Sequence, residues 1–203
     1  MLKSILAGVL VIFMFSGCAT TTQLTGSWKE PSADMKINKV LVIGKSDKAA
    51  VRRIYEDALV NKLKDHQVNA VASSRVLPID REIDRPSVEG VVSEHGFDSV
   101  LVTKLIDVDK ESRYVSGMTY VIPYNEYHNF YSYYGHRGTG IVHEPGYTYT
   151  ETIVSLETNL YETKNAKLIW AITTESVNPD KINKDIDKLA ELIAKKLDAD
   201  DLL

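Results

Sequence analysis

A single cysteine stands in 203 residues, so no disulfide can close within the chain. No apolar run approaches the ~20 residues that a helix needs to cross ~30 Å of hydrocarbon. The longest, "SILAGVLVIFMF" from Ser4 to Phe15, stops well short, which makes a retained spanning anchor the weaker reading there. G-x-G-x-x-G, G-x-S-x-G and H-E-x-x-H are all missing, so the usual dinucleotide, hydrolase and zinc-protease chemistries have no foothold. "GKS" at Gly44 to Ser46 follows a strand-like run, but the upstream glycine of a phosphate loop is replaced by "KVLVI"; an ordinary strand-to-helix turn is expected. The formal net charge is -4 and no long basic run occurs, which argues against nucleic acid or anionic headgroups as electrostatic partners.

What is present begins at the N-terminus. Lys3 supplies a positive start, the apolar stretch follows, and the small residues Ser16 and Gly17 lead directly into Cys18. That is the three-part layout of a secretory signal, ending at a cysteine instead of an A-x-A-like site. Phe15-Ser16-Gly17-Cys18 resembles the lipobox of bacterial lipoproteins, with phenylalanine where leucine is usual. The resemblance implies that Cys18 carries diacylglycerol, that a peptidase cuts before it, and that the new amine is acylated. The membrane is then a partner through acyl chains, and two or more chains hold stably where one holds only marginally. With Cys18 lipidated, no thiol remains for catalysis or metal binding. Ala19 in place of aspartate implies, for a Gram-negative host, an outer-membrane anchor with the protein facing the periplasm.

This reading divides the chain into a signal at 1–17, a flexible small-residue tether at 18–27 and one globular domain at 28–203. Removing 17 of the 203 residues leaves 186, enough for one domain burying ~70% of its unfolded surface.

Within the domain, "NKVLVIG" (38–44) reads as a strand covered on both faces. A helix is expected over about 48–65, capped by Asp47, with Val51, Ile54, Tyr55, Ala58, Leu59 and Leu63 on its inner stripe. "VNAVAS" (68–73) is a second strand, "PSVEGVVSEHG" a helix stopped by Gly96, and "DSVLVTKLIDV" (98–108) a third strand. Strand-helix-strand order predicts parallel pairing in this half. The period then changes to two: 113–122 offers a further strand, and 147–163 with 167–177 reads as a hairpin. Asn178 as N-cap and Pro179 open a last helix with Ile182, Ile186, Leu189, Ile193 and Leu197 on one stripe. The fold class expected is α/β with α+β character in the second half: one mixed sheet, order β-α-β-α-β-β-β-β-α, with helices packed on it.

"GSWKEP" (26–31), "KVLVIGKSD" (39–47), "RRIYEDALVNKL" (52–63) and "SVLVTKLIDVDKE" (99–111) resemble a family of uncharacterised bacterial lipoproteins. The layout is also similar to the N-terminal domain of the periplasmic translocation protein TolB and to the curli-secretion lipoprotein, a likeness of fold alone. These motifs describe a fold and name no reaction.

The candidate functional residues gather in Tyr120 to Tyr149, which holds eight of the eleven tyrosines. A core segment would prefer aliphatic residues without a hydroxyl, and a connection this long is expected to be a functional loop or a two-stranded ribbon. Tyr124, Tyr127, Phe130, Tyr131, Tyr133, Tyr134 and Arg137 form the candidate recognition surface, since tyrosine couples large contact area to few rotatable bonds. It suits a protein partner in the envelope, a cell-wall glycan stacked on the rings, or the membrane interface; one arginine and no lysine argue against single-stranded nucleic acid. His128, His136 and His143 are the candidates for zinc or copper, on a spacing that matches no ligand pattern. No catalytic residue and no cofactor are expected. The function read from the sequence is a non-enzymatic, lipid-anchored interaction or assembly module, with a carbohydrate-binding or carbohydrate-processing lipoprotein as the alternative.

Overall fold

The computed structural model describes residues 21–33, 35–78, 83–124, 138–179 and 182–203. Val40 to Ile43, four apolar residues in a row, run through the buried centre of β2 (Lys39–Lys45). A strand of this composition needs cover on both faces, and it has it. Val40 and Val42 face a core built with Leu59 and Leu63 of α1 (Ala49–Asp65) and Ile193 and Leu197 of α3 (Ile182–Ala199). Leu41 and Ile43 face a smaller core with Val91 of α2 (Arg85–His95) and Phe97.

β2 pairs in parallel with β3 (Asn69–Ala72) on one side and β4 (Ser99–Val115) on the other. β4 then pairs antiparallel with β7 (Tyr147–Glu162), β7 with β8 (Lys167–Val177), and β8 with β1 (Thr21–Lys29), giving the order β1-β8-β7-β4-β2-β3. β5 (Met118–Tyr124) and β6 (Gly138–Glu144) form a separate two-stranded sheet. This is the mixed α/β architecture expected, in the expected order, with β1 and β6 as additional strands.

Several local expectations are corrected. Residues 21–27 are not a flexible tether: all of Thr21 to Lys29 lies in β1, and the Thr22 hydroxyl hydrogen-bonds that of Ser176 at 3.0 Å. Threonine is a good strand former, and β8 would otherwise present an unpaired edge. α1 starts after Lys48, not on an Asp47 cap; the Ser46 hydroxyl accepts the Lys48 amide hydrogen instead. The expected strand 113–122 is cut in two, since Arg113 to Val115 continue β4 and Met118 opens β5. Asn178 serves the sheet, exchanging backbone and side-chain hydrogen bonds with Thr152 at 2.8 Å each. α2 follows expectation, with Asp84 accepting the Ser87 amide hydrogen and Gly96 (φ 62) ending it.

Candidate functional site

Three features compete as the site: a buried charged cluster at the start of α1, a groove beside α2, and a β-ribbon that leaves the sheet.

The charged cluster lies on the inner face of α1, four residues apart. Arg52 and Glu56 are both buried, while Ile54, which the apolar stripe placed inward, is exposed. The turn of the helix is set by Glu56: Oε1 accepts hydrogen bonds from the Gly44 amide (3.0 Å), Arg52 Nε (3.0 Å) and the Ser73 hydroxyl, and Oε2 from the Ser74 amide (2.7 Å). Arg52 also donates to Ser73 Oγ at 2.8 Å and to the Pro78 carbonyl at 3.3 Å. The cluster therefore ties the end of β2 to the turn that follows β3. Gly44 fits here for a steric reason, because a Cβ would meet the Tyr55 ring at 2.8 Å. With the Gly44 amide turned inward onto a carboxylate, "GKS" does not present that donor to a phosphate, in line with an ordinary turn. Next to it the Tyr55 hydroxyl hydrogen-bonds Thr103, whose hydroxyl meets Thr158 at 2.8 Å. Burial, only partly opposed by these hydrogen bonds, pushes the Tyr55 hydroxyl well above its ordinary pKa, so it stays neutral.

The groove runs between α2 and the sheet, a cavity of about 940 Å³ with Ile43, Val100 and Val102 as floor and Val88 and Val92 as one wall. Lys45, Asp47, Arg85 and Glu89 share its rim. Charges of both signs stand there, and Arg85 is already paired with Glu89 at 2.6 Å, so the rim selects neither anions nor cations.

The ribbon is the longest feature. Thr21, Val177, Ile153 and Asp109 form one row across β1, β8, β7 and β4. Past that row β4 and β7 keep pairing with each other as far as Val115 and Tyr147, and β5 and β6 carry the pairing on from Met118 and Glu144 to Tyr124 and Gly138. The two sections meet where the strands pass very closely: a Cβ on Gly117 would lie 2.4 Å from the Glu144 carbonyl oxygen, and one on Gly146 2.8 Å from that of Val115. Polar pairs pin the ribbon from side to side, Arg113 to Glu151 at 2.6 Å, Thr119 to His143 Nδ1 at 2.8 Å and the Tyr120 hydroxyl to Glu144 at 3.1 Å. At its base Asp107 holds the Asp109 carboxyl above its ordinary pKa by like-charge repulsion, with burial and Glu111 adding to the effect. The apolar side chains are left in the open: Tyr114 is 68% exposed, Met118 65%, Val121 61%, Ile141 71% and Tyr147 61%. An isolated two-stranded ribbon is marginal in water, and its exposed apolar side chains make it a candidate contact surface.

Two of the residues singled out by sequence, Tyr124 and His143, lie on this ribbon. Tyr124 closes β5 opposite Gly138. His143 is exposed on β6. Cys18, Tyr127, His128, Phe130, Tyr131, Tyr133, Tyr134, His136 and Arg137 lie outside the described residues. Among the described residues no group of three or more His, Cys, Asp or Glu is placed to hold a metal ion. The 120–149 stretch, for which the sequence allows a recognition loop or a two-stranded ribbon, is a ribbon over its described parts: β5 and β6 form their own two-stranded sheet, and Tyr147 to Tyr149 belong to β7 of the six-stranded one. The Arg52–Glu56 cluster was missed; its signal is an i, i+4 opposite-charge pair flanking Tyr55 and Leu59 on an inward face.

No protein-family model matches the chain, and no curated protein matches it in sequence. In shape it is similar to the PelC dodecamer protein of Paraburkholderia phytofirmans, at 12% identity and a TM-score of 0.45, over 85% of this chain and 94% of that one. It is also similar to the lipoprotein GNA1162 of Neisseria meningitidis, at 10% identity and 0.43, over 80% and 99%. A PDZ domain protein of Parabacteroides distasonis gives 9% identity and 0.37, over 85% and 36%.

Proposed function

We propose that the chain is a non-enzymatic, lipid-anchored protein of the bacterial envelope that faces the periplasm and engages another envelope component through its β-ribbon. The observation that carries this reading is the ribbon itself, with tyrosine and aliphatic side chains held exposed on a hydrogen-bonded frame. A role in binding also agrees with how the buried charges are used. Arg52 and Glu56, the residues best sheltered for acid or base work, spend their hydrogen bonds on backbone groups, on the Ser73 hydroxyl and on each other. The anchor reading rests on Cys18 and the signal that precedes it.

Two measurements test the proposal. Palmitate labelling with membrane fractionation of native and Cys18→Ser protein tests the anchor: labelled native protein in the membrane fraction and unlabelled variant outside it support it. Crosslinking from benzoylphenylalanine placed at Met118 or Ile141 in living cells tests the ribbon. Adducts to an envelope protein or lipid from these positions, and none from Lys164 at the opposite end of the sheet, are expected.

Tyr147 and Tyr149 favour a second reading, a cell-wall glycan partner. Their rings stand 6.3 Å apart and are inclined at 43°, an exposed aromatic pair on which sugar faces can stack. Co-sedimentation with purified peptidoglycan that Tyr147→Ala abolishes would support it.

A further inference from the structure

The direction of β1 says where the anchor must lie relative to the ribbon. β1 and β7 both pair antiparallel with β8, so they run in the same sense, and Thr21 and Ile153 share Val177 as partner. β7 enters the sheet from the ribbon. The chain upstream of Thr21 therefore leaves the sheet at the end from which the ribbon projects. Cys18 stands three residues before Thr21, and three residues reach at most about 11 Å. β1 has nine residues, a length of about 30 Å, so this tether cannot carry the anchor round to the opposite end.

The ribbon, in contrast, follows a path of about 50 Å from the Asp109 row to Tyr124 at ~3.3 Å per residue. A bilayer holding Cys18 lies within a fraction of that distance from the ribbon's base. Passage through the hydrocarbon is closed to it, because both outer edges of a two-stranded ribbon carry backbone groups without partners. We infer that the ribbon lies along the bilayer that holds Cys18, with Val121 and Ile141, cross-strand partners on one face, seated at the interface, so that lipid is the component it engages. This rests on the anchor reading of Cys18 given above.

The side chains suit that position. Aliphatic side chains on one face of a surface-lying element reach the acyl boundary while its polar frame stays at headgroup level. Glu111 and Arg113 pair at 3.2 Å at the base, where headgroups and water meet charge. The close passage at Gly117 and Gly146 supplies a joint at which the outer section can take a different course from the sheet. The attraction is apolar, so it needs no basic surface.

The test uses the full lipidated protein, in which an introduced cysteine is the one free thiol, reconstituted in vesicles of phosphatidylethanolamine and phosphatidylglycerol. Spin labels go at Val121→Cys and Ile141→Cys, both exposed and outside the core, and at Lys164→Cys as the aqueous reference. Relaxation by oxygen against a water-soluble nickel chelate reads depth. We expect the ratio of oxygen to nickel accessibility at 121 and 141 to exceed that at 164 by about threefold or more. Equal ratios at all three sites, with the protein labelled by palmitate and bound to the vesicles, overturn the inference and leave the anchor standing. Labels at 121 and 141 that lose nickel access in cell membranes without gaining oxygen access assign the ribbon to a protein partner and overturn it too. Protein that carries no palmitate overturns both readings together.

Discussion

The Gly44 amide donates its hydrogen to Glu56 Oε1 at 3.0 Å, across eleven intervening residues and inside the core. That one bond fixes how α1 docks on the end of β2, and the same carboxylate fixes the turn after β3, Oε1 accepting from the Ser73 hydroxyl and Oε2 from the Ser74 amide. A buried ion pair loses most when one partner is removed, since the other is left charged and desolvated. Glu56→Ala should therefore cost about 3–5 kcal/mol, while the double change Arg52→Met, Glu56→Leu should recover a large part of it. Urea midpoints of the three proteins check this; a single variant within 1 kcal/mol of the parent would contradict it.

Gly44→Ala tests the other half of the same contact. The new methyl would stand 2.8 Å from Cδ1 of Tyr55, a ring held by hydrogen bonding to Thr103 and unable to swing away. Overpacking of this kind costs about 1–3 kcal/mol. A thermal midpoint equal to that of the parent would show that the ring yields.

Much of this was legible beforehand, and the reasons are specific. "VLVI" could only be a strand covered on both sides, and the period of two in 147–177 gave the hairpin nearly residue for residue. The helix stripe of α1 misled because Arg52 and Glu56, polar by type, are inside by virtue of each other and of backbone donors that no local pattern announces. β1 was hidden by composition: threonine, serine and glycine read as a tether, and the partner that makes them a strand lies 145–156 residues away, on β8. The ribbon was half visible. Its tyrosines marked it as unlike core, yet the registration of β5 on β6 depends on pairing across a 13-residue gap, from Tyr124 to Gly138.

Acid should weaken the seat of Trp170. Asp200 accepts from Trp170 Nε1 at 2.7 Å and from Lys196 at 2.6 Å. Burial pushes its carboxyl up, but Lys196 and the indole together outweigh that and hold it below the ordinary aspartate value. A lowered carboxyl pKa means that the folded state binds the proton less readily than the unfolded one. The stabilisation is thus complete above the ordinary aspartate value and is lost as pH falls through the depressed one. Native protein should exceed Asp200→Asn by about 1 kcal/mol at pH 7, with the gap closing below about pH 4. Urea midpoints followed by tryptophan fluorescence at pH 7 and pH 3 check it; a gap unchanged with pH would refute the assignment.

The ribbon and the core should also come apart under mutation. A Cβ at Gly117 meets the backbone carbonyl of Glu144 at 2.4 Å and the Gly146 nitrogen at 2.6 Å, and backbone atoms cannot rotate out of the way as a side-chain tip can. Gly117→Ala must then open the passage between the inner and outer sections of the ribbon. Among the described residues no buried core residue belongs to β5 or β6, so the cost falls on local opening and not on global unfolding. Amides of Met118 to Val121 and of Ile141 to Glu144 should exchange at least tenfold faster in the variant, with the urea midpoint unchanged. Gly90→Ala is the counterpart: nothing lies within 4 Å of the added methyl in α2, so removing a mid-helix glycine should stabilise by up to about 1 kcal/mol and leave ribbon exchange as it was. Faster exchange throughout the sheet in Gly117→Ala would mean that ribbon and core unfold as one unit, and the ribbon could not then change course at the membrane without disturbing the domain.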